Sequence, residues 1–424
     1  MTSGTHPPRR LRQRFVVPAL LVVVAVVLVT IQSRFHDVLT SPGEPAQLDY
    51  VLSLPHVPAT GDLLSVEAVP VGLTREQVAD GPYSFAGATP PAYYVATAAV
   101  ARPVAAVTGW TPLSVARWLG AAWLALFMLV AFALARRMGV PTFAAAAATT
   151  AVAASPSLAT SAAYLGSDLA GAAAGGLVLL AAWSYDGSRR ALLAVGGACA
   201  LAGLTKLTAV TAVAAAVVML LARAVLSHRS RTEGDESRRA DALPVGAALL
   251  GAAVGAVGFL VPAVSWILRT RATAEVDVGA MPVFAPYVVD SIDWHLYVEG
   301  LFYPWLSPVV SSWVTFAVID PPELVLIYLL LALFPLGVLG AAFTTGRPRL
   351  AGLGIGLAVA MVAGPFAFLE TNFLLNGLLM PVEPRYGLGL LAGATATVAW
   401  LFRNRGGAWV LVVVTAFSML NLLT

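Results

Sequence analysis

One cysteine, Cys199, stands in a chain of 424 residues, and only 11% of those residues are charged. The single thiol excludes an intrachain disulfide, a CxxC redox pair and any cysteine-based metal centre. The poverty of charge excludes an ordinary soluble domain, in which about a quarter of residues are charged. There is no P-loop, and no GxGxxG follows a strand-like run, so soluble nucleotide-sugar chemistry has no domain to live in. The glycine runs "GLGIGLA" and "GAAVGAVG" lie in apolar stretches, where small residues let helices pack closely. Three of the histidines, His36, His56 and His295, sit on distant loops and make no metal-ligand spacing. No internal repeat of roughly 20 to 50 residues is visible.

What the sequence has in abundance is apolar surface: 59% of residues are hydrophobic and the mean hydropathy is +0.83. Such a chain dissolves in lipid. Its richness in Ala, Val, Gly and Leu resembles the output of a GC-rich bacterial genome. The net charge is only +3. Its basic loop residues read as topology signals, not as contacts to nucleic acid.

Arg9, Arg10, Arg12 and Arg14 precede the apolar run Phe15 to Ile31, which has no A-x-A cleavage site and reads as an uncleaved first helix. Further apolar runs follow: Leu113 to Ala135, Phe143 to Tyr164, Leu169 to Trp183, Ala191 to Leu204, Thr208 to Leu221, Leu243 to Leu268, Leu324 to Phe343, Leu350 to Leu369, Tyr386 to Leu401 and Trp409 to Leu423. The expectation is an all-α polytopic membrane protein with about eleven spans. Arginines cluster at 9–14, 136–137, 189–190, 223–239, 347–349 and 403–405. By the positive-inside rule these ends are cytoplasmic, in the plasma membrane of a bacterium, and residues 1–14 form a cytoplasmic N-terminus. The remaining 15–424 form one transmembrane domain with outer segments at 32–111 and 269–322 and a charged cytoplasmic loop at 223–242. Arg269 and Arg271 break the rule at an outer boundary.

Long loops with ordered-looking sequence tend to carry function. In the first outer segment, "PPAYYVATAAVARPVAAV" opens with Pro90-Pro91 and the pair Tyr93 and Tyr94, but Arg102 and Pro103 interrupt it. That pattern predicts a helix lying in the membrane interface, because Arg102 is costly at depth; a plain span is the alternative. Asp168 in "YLGSDLAG" sits at an outer turn, where capping by Ser167 or Asp168 is the plain explanation. Lys206 lies about sixteen residues beyond Arg190, so a helix carries it ~24 Å, towards the outer leaflet. Snorkelling or an anionic partner would each explain a lysine there. Arg385 in "MPVEPRYGLGLL" stands at another outer helix entrance between Glu383 and Tyr386, and a local pair with Glu383 would account for it.

These fragments form a series in chain order. Gly43-Glu44-Pro45-Ala46-Gln47 resembles a DEPAH-like turn, and Pro90-Pro91-Ala92-Tyr93-Tyr94 a PPxYY motif. Ser167-Asp168-Leu169-Ala170, Gly203-Leu204-Thr205-Lys206 and Pro384-Arg385-Tyr386 follow. Together they resemble the GT-C superfamily of membrane glycosyltransferases, closest to an uncharacterised bacterial branch. The first-loop Asp of that family is Gly43 here, and its His is Gln47.

The resemblance implies transfer of a sugar from a polyprenyl-phosphate donor to an extracytoplasmic acceptor, a cell-envelope glycan, lipid or protein, with inversion. That reaction needs a carboxylate to take the acceptor proton. The departing lipid phosphate needs cations, either side chains or a divalent metal ion, and the prenyl chain needs an apolar groove open to membrane lipid. Asp49, Glu44 and Asp168 are the candidate acids, with Asp49 ranked first. Lys206, Arg385, Tyr386, Arg269, Arg271, Tyr93, Tyr94 and Arg102 are the candidate substrate-binding groups. Two other readings remain: a non-catalytic scaffold of an envelope-polymer assembly, and a lipid or sugar transporter. The near absence of ionisable groups from mid-span positions speaks against the transporter.

Overall fold

A computed structural model describes residues 9–34, 43–69, 71–78, 82–232, 242–274, 287–289, 291, 294–295, 298, 321–379, 382 and 384–421. The described chain is helical. Its only extended pairings are the isolated bridges Leu63 with Tyr83 and Val288 with Leu378. We number the helices α1 (Arg9–Gln32), α2 (Glu44–Ser53), α3 (Ala92–Thr108), α4 (Pro112–Arg137), α5 (Thr142–Ala153), α6 (Pro156–Ala163) and α7 (Asp168–Ser184). Then follow α8 (Arg189–Thr205), α9 (Val210–Thr232), α10 (Val245–Thr273), α11 (Pro321–Ala342), α12 (Pro348–Asn376), α13 (Leu391–Leu401) and α14 (Arg405–Asn421). Each apolar run is met by helix, and five helices are long and apolar enough to cross a membrane.

Small residues draw the bundle together. A β-carbon on Gly258 of α10 would come within 2.7 Å of the Gly196 carbonyl on α8, and one on Gly352 of α12 within 2.8 Å of the Met219 carbonyl on α9. The two glycine runs are therefore packing surfaces, as helix association in lipid favours.

Three boundaries differ from the sequence reading. The expected span Phe143 to Tyr164 is broken into α5 and α6 at Ala154–Ser155, because Pro156 has no N–H to continue the ladder. The expected loop beginning at 223 is helical to Thr232, and Arg223 is buried with Nη1 donating to the Tyr185 carbonyl at 2.6 Å. Charge alone marked those residues as loop, but the guanidinium found a carbonyl partner on a neighbouring turn. The run expected from Tyr386 begins as a 3-10 stretch, Pro384–Leu390, and becomes α-helix only at Leu391. There Gly389 lies so close to α7 that a β-carbon on Gly175 would collide with its backbone.

The helix ends sort into two poles. At one, Arg137 bonds Ser184, the Tyr185 hydroxyl donates to the Ala247 carbonyl at 3.0 Å, and Arg223 reaches Tyr185. At the other, the chain between α2 and α3 meets the end of α10, where Trp266 Nε1 donates to the Ala88 carbonyl at 3.2 Å and Arg269 reaches the Val57 carbonyl at 3.4 Å. Residues 287–289 pair with the end of α12, through Leu379 N to the Tyr287 carbonyl at 2.9 Å. The rest of 269–322 falls largely outside the described residues. A second apolar cluster, in which Leu48, Tyr50, Leu64, Tyr94 and Leu165 are buried together, lies apart from the main core.

Candidate functional site

Lys206 is the only lysine in the chain; every other basic Lys or Arg is arginine. It follows α8, and its ammonium pairs with the Asp168 carboxylate at the first residue of α7. The anionic partner proposed for Lys206 thus exists within the protein. The capping explanation for Asp168 does not hold, since the N-cap Ser167 makes no side-chain cap and the Asp168 carboxylate is turned to Lys206. Arg385, at the start of the 3-10 stretch, acts on the same carboxylate electrostatically and lies 5.8 Å from the Tyr386 ring centroid. Glu383, its expected local partner, lies outside the described residues. Three elements distant in sequence therefore bring one carboxylate and two cations together at one pole.

The other candidate acids have different work. Glu44 is almost fully buried and holds Arg117 of α4 through two bonds, Nε to Oε1 at 2.8 Å and Nη2 to Oε2 at 2.6 Å. Its Oε1 also accepts from the Leu165 backbone N–H at 3.0 Å. Asp49, ranked first among the candidate acids, sits on α2. It is buried, and its Oδ1 accepts from the Ser65 N–H at 2.9 Å, fastening the 3-10 turn Val66–Ala68 to α2.

Arg102 is turned to the backbone of α2. Its guanidinium donates to the carbonyls of Val51 at 2.7 Å, Leu52, and Leu54 at 2.6 Å, at the C-terminus of α2. A cation satisfies orphan carbonyls and the negative end of the helix dipole there. With that charge occupied, α3 exposes the apolar residues Val95, Val100, Val104 and Val107.

Tyr93 and Tyr94 are clamps. The Tyr93 hydroxyl accepts from the Gly166 N–H at 3.1 Å. Tyr94 donates to Gln47 and stacks on Tyr50 with ring centroids 3.9 Å apart. Burial pushes both phenols well above their ordinary range, so they remain protonated. Gln47 thus serves as an acceptor for Tyr94.

Gly43 has φ 83° as the N-cap of α2. That left-handed conformation suits glycine, and a β-carbon there would meet the Phe85 ring at 3.4 Å. Arg269 packs over the Trp266 ring at 4.7 Å and reaches Val57, so it fastens α10 to the chain between α2 and α3; Arg271 lies in the last turn of α10.

Arg117 escaped the sequence reading. The available signal was the one that exposed Arg269: an arginine near the helix end opposite the Arg-rich pole. A cleft of about 220 Å³ opens beside it, lined by Val29, Ser33, Ser114, Arg117 and Trp118. A much narrower apolar crevice, about 10 Å³, lies beside Tyr386 and is lined among others by Thr211, Pro365, Phe368 and Leu390.

Among the described residues, no group of three His, Cys, Asp or Glu side chains converges as a metal site would require. One carboxylate beside Lys206 and Arg385 suits an anion better than a divalent cation.

Helices, poles and the charged cluster define an all-α polytopic membrane protein with a polar site at one end of the bundle. No family model matches the sequence, and no curated protein does. Among solved structures, the chain is similar to ArnT from Cupriavidus metallidurans, a crystal structure bound to undecaprenyl phosphate, with a TM-score of 0.46 at 19% identity. The match covers 92% of this chain and 61% of that one, so the chain spans about three fifths of the ArnT length. This is a likeness of overall chain path and assigns no residue a role.

Proposed function

We propose that the chain is a membrane glycosyltransferase that moves a sugar from a polyprenyl-phosphate donor to an extracytoplasmic acceptor of the cell envelope, inverting the anomeric carbon. The carrying observation is the convergence of Asp168, Lys206 and Arg385 at the pole opposite the Arg-rich helix ends. By the positive-inside rule that pole is extracytoplasmic and the N-terminus cytoplasmic.

In this reading the donor phosphate lies against Lys206 and Arg385, with Tyr386 beside them. The arriving phosphate draws the Lys206 ammonium away from Asp168 and frees the carboxylate. The acceptor hydroxyl oxygen attacks the anomeric carbon as the bond to the phosphate oxygen breaks. Its proton passes to Asp168, and the charge left on the polyprenyl phosphate is held by the two cations. The exposed apolar face of α3 and the crevice by Tyr386 are where the prenyl chain meets protein. The motif series in chain order supports this assignment over a transporter.

The test is transfer of labelled sugar from polyprenyl-phosphate donors by the protein in liposomes. Wild-type turnover that falls by ~10²–10⁴ in Asp168→Asn supports the reading. No transfer by wild type with any polyprenyl-phosphate sugar, or full turnover in Asp168→Asn, overturns it in favour of a scaffold.

A further inference from the structure

We infer that Glu44 and Arg117 are positioning residues: their buried ion pair holds the turn that presents Asp168 to Lys206. The inference rests on Asp168 being the working carboxylate. It departs from the expectation that an acid of the first outer loop is itself the base.

The turn before Asp168 is gripped at two successive residues. The Leu165 N–H donates to Glu44 Oε1 at 3.0 Å and the Gly166 N–H to the Tyr93 hydroxyl at 3.1 Å. Both anchors belong to the first outer segment, on α2 and α3. Glu44 is in turn fixed by Arg117, whose two bonds to the carboxylate run side-on and define its plane. Nothing in the sequence between Tyr164 and Ser167 supplies such rigidity, since Gly166 is free of a side chain and Ser167 does not cap α7. The direction of Asp168 is therefore set from outside its own helix.

Glu44 is ill placed to act as a base. Its side chain is fully shielded from solvent, and its oxygens are engaged by Arg117 and Leu165. A proton acceptor must reach its substrate's proton, directly or through one water. A buried bidentate pair instead serves to fix geometry, and removing one partner strands the other.

Because Lys206 is the only lysine, amine-reactive labelling followed by peptide mass spectrometry reads the Asp168–Lys206 pair without any catalytic assay. The N-terminal amine is an internal reference. We expect Glu44→Gln and Arg117→Gln each to raise the Lys206 labelling rate about tenfold, and the double variant to raise it no further, the signature of one coupled unit. Arg117→Lys, which keeps the charge, should recover part of the protection. Tyr93→Phe removes the Gly166 anchor without burying an unpaired charge, and should raise labelling by a smaller factor even if the charge variants fold poorly. Arg137→Gln, at the opposite pole, should change nothing.

Asp168→Asn separates the two ideas. If it exposes Lys206 while Glu44→Gln, Arg117→Gln and Tyr93→Phe do not, the positioning role is wrong and the site stands. If Asp168→Asn leaves labelling unchanged, the pair itself is absent, and the proposed function falls with it.

Discussion

The stem of Lys206 crosses α7 at Gly171, where a β-carbon would come within 2.9 Å of the lysine Cδ, and the ammonium ends on Asp168. Gly171 stands one turn after Asp168 on the same helix, so bare backbone at that position forms the trough in which the lysine lies. An arginine is longer, planar at its end and less compact as a point charge. The choice of lysine in a chain that otherwise uses arginine follows from this trough.

Gly171→Ala should therefore act on Lys206. Forcing a methyl into this packing costs about 1–3 kcal/mol and displaces the stem. Sugar transfer should fall together with protection of Lys206 from amine reagents. Lys206→Arg should fail to restore transfer even though the charge is retained.

Asp49→Asn and Asp168→Asn should separate stability from turnover. The Asp49 carboxylate supports the Ser65 N–H, so its amide should keep turnover near wild type while lowering thermal stability by about 1 kcal/mol. Asp168→Asn should do the reverse, lowering turnover with little change in melting temperature. Equal turnover losses in both would return Asp49 to the site.

Arg102→Ala strands the carbonyls of Val51, Leu52 and Leu54 at the end of α2. The expected cost is about 2–3 kcal/mol, measured as a drop in the unfolding midpoint. Arg102→Lys should recover only part, because one ammonium cannot span the same acceptors in the guanidinium's planar fork.

Gly43→Asp should not raise transfer. The left-handed backbone at Gly43 costs a non-glycine residue about 1 kcal/mol, and the side chain would press on Phe85. A clear gain in turnover would show instead that the position holds a lost base.

The two poles should label from opposite sides of the membrane. In a Cys199→Ala background, Glu67→Cys should react with an impermeant thiol reagent applied outside, and Asp186→Cys only after permeabilisation. Both positions are exposed. The opposite pattern would invert the topology.

Much of this architecture was legible in the chain itself. Apolar run length marks spans because lipid offers no partner for backbone groups, and the arginine clusters mark one pole because charge resists translocation. The same rule made Lys206, Arg269 and Arg271 conspicuous as cations at the wrong end. What a linear reading could not supply was pairing. Whether Asp168 caps its helix or meets Lys206, whether Glu44 is free or locked to Arg117, and whether Arg102 faces lipid, substrate or a helix end are questions about residues as far as 73 positions apart. Local propensity acts over a turn or two of helix. Only packing, which brings α2, α4 and the start of α7 to one pole, decides which charges are consumed as structure and which remain for chemistry.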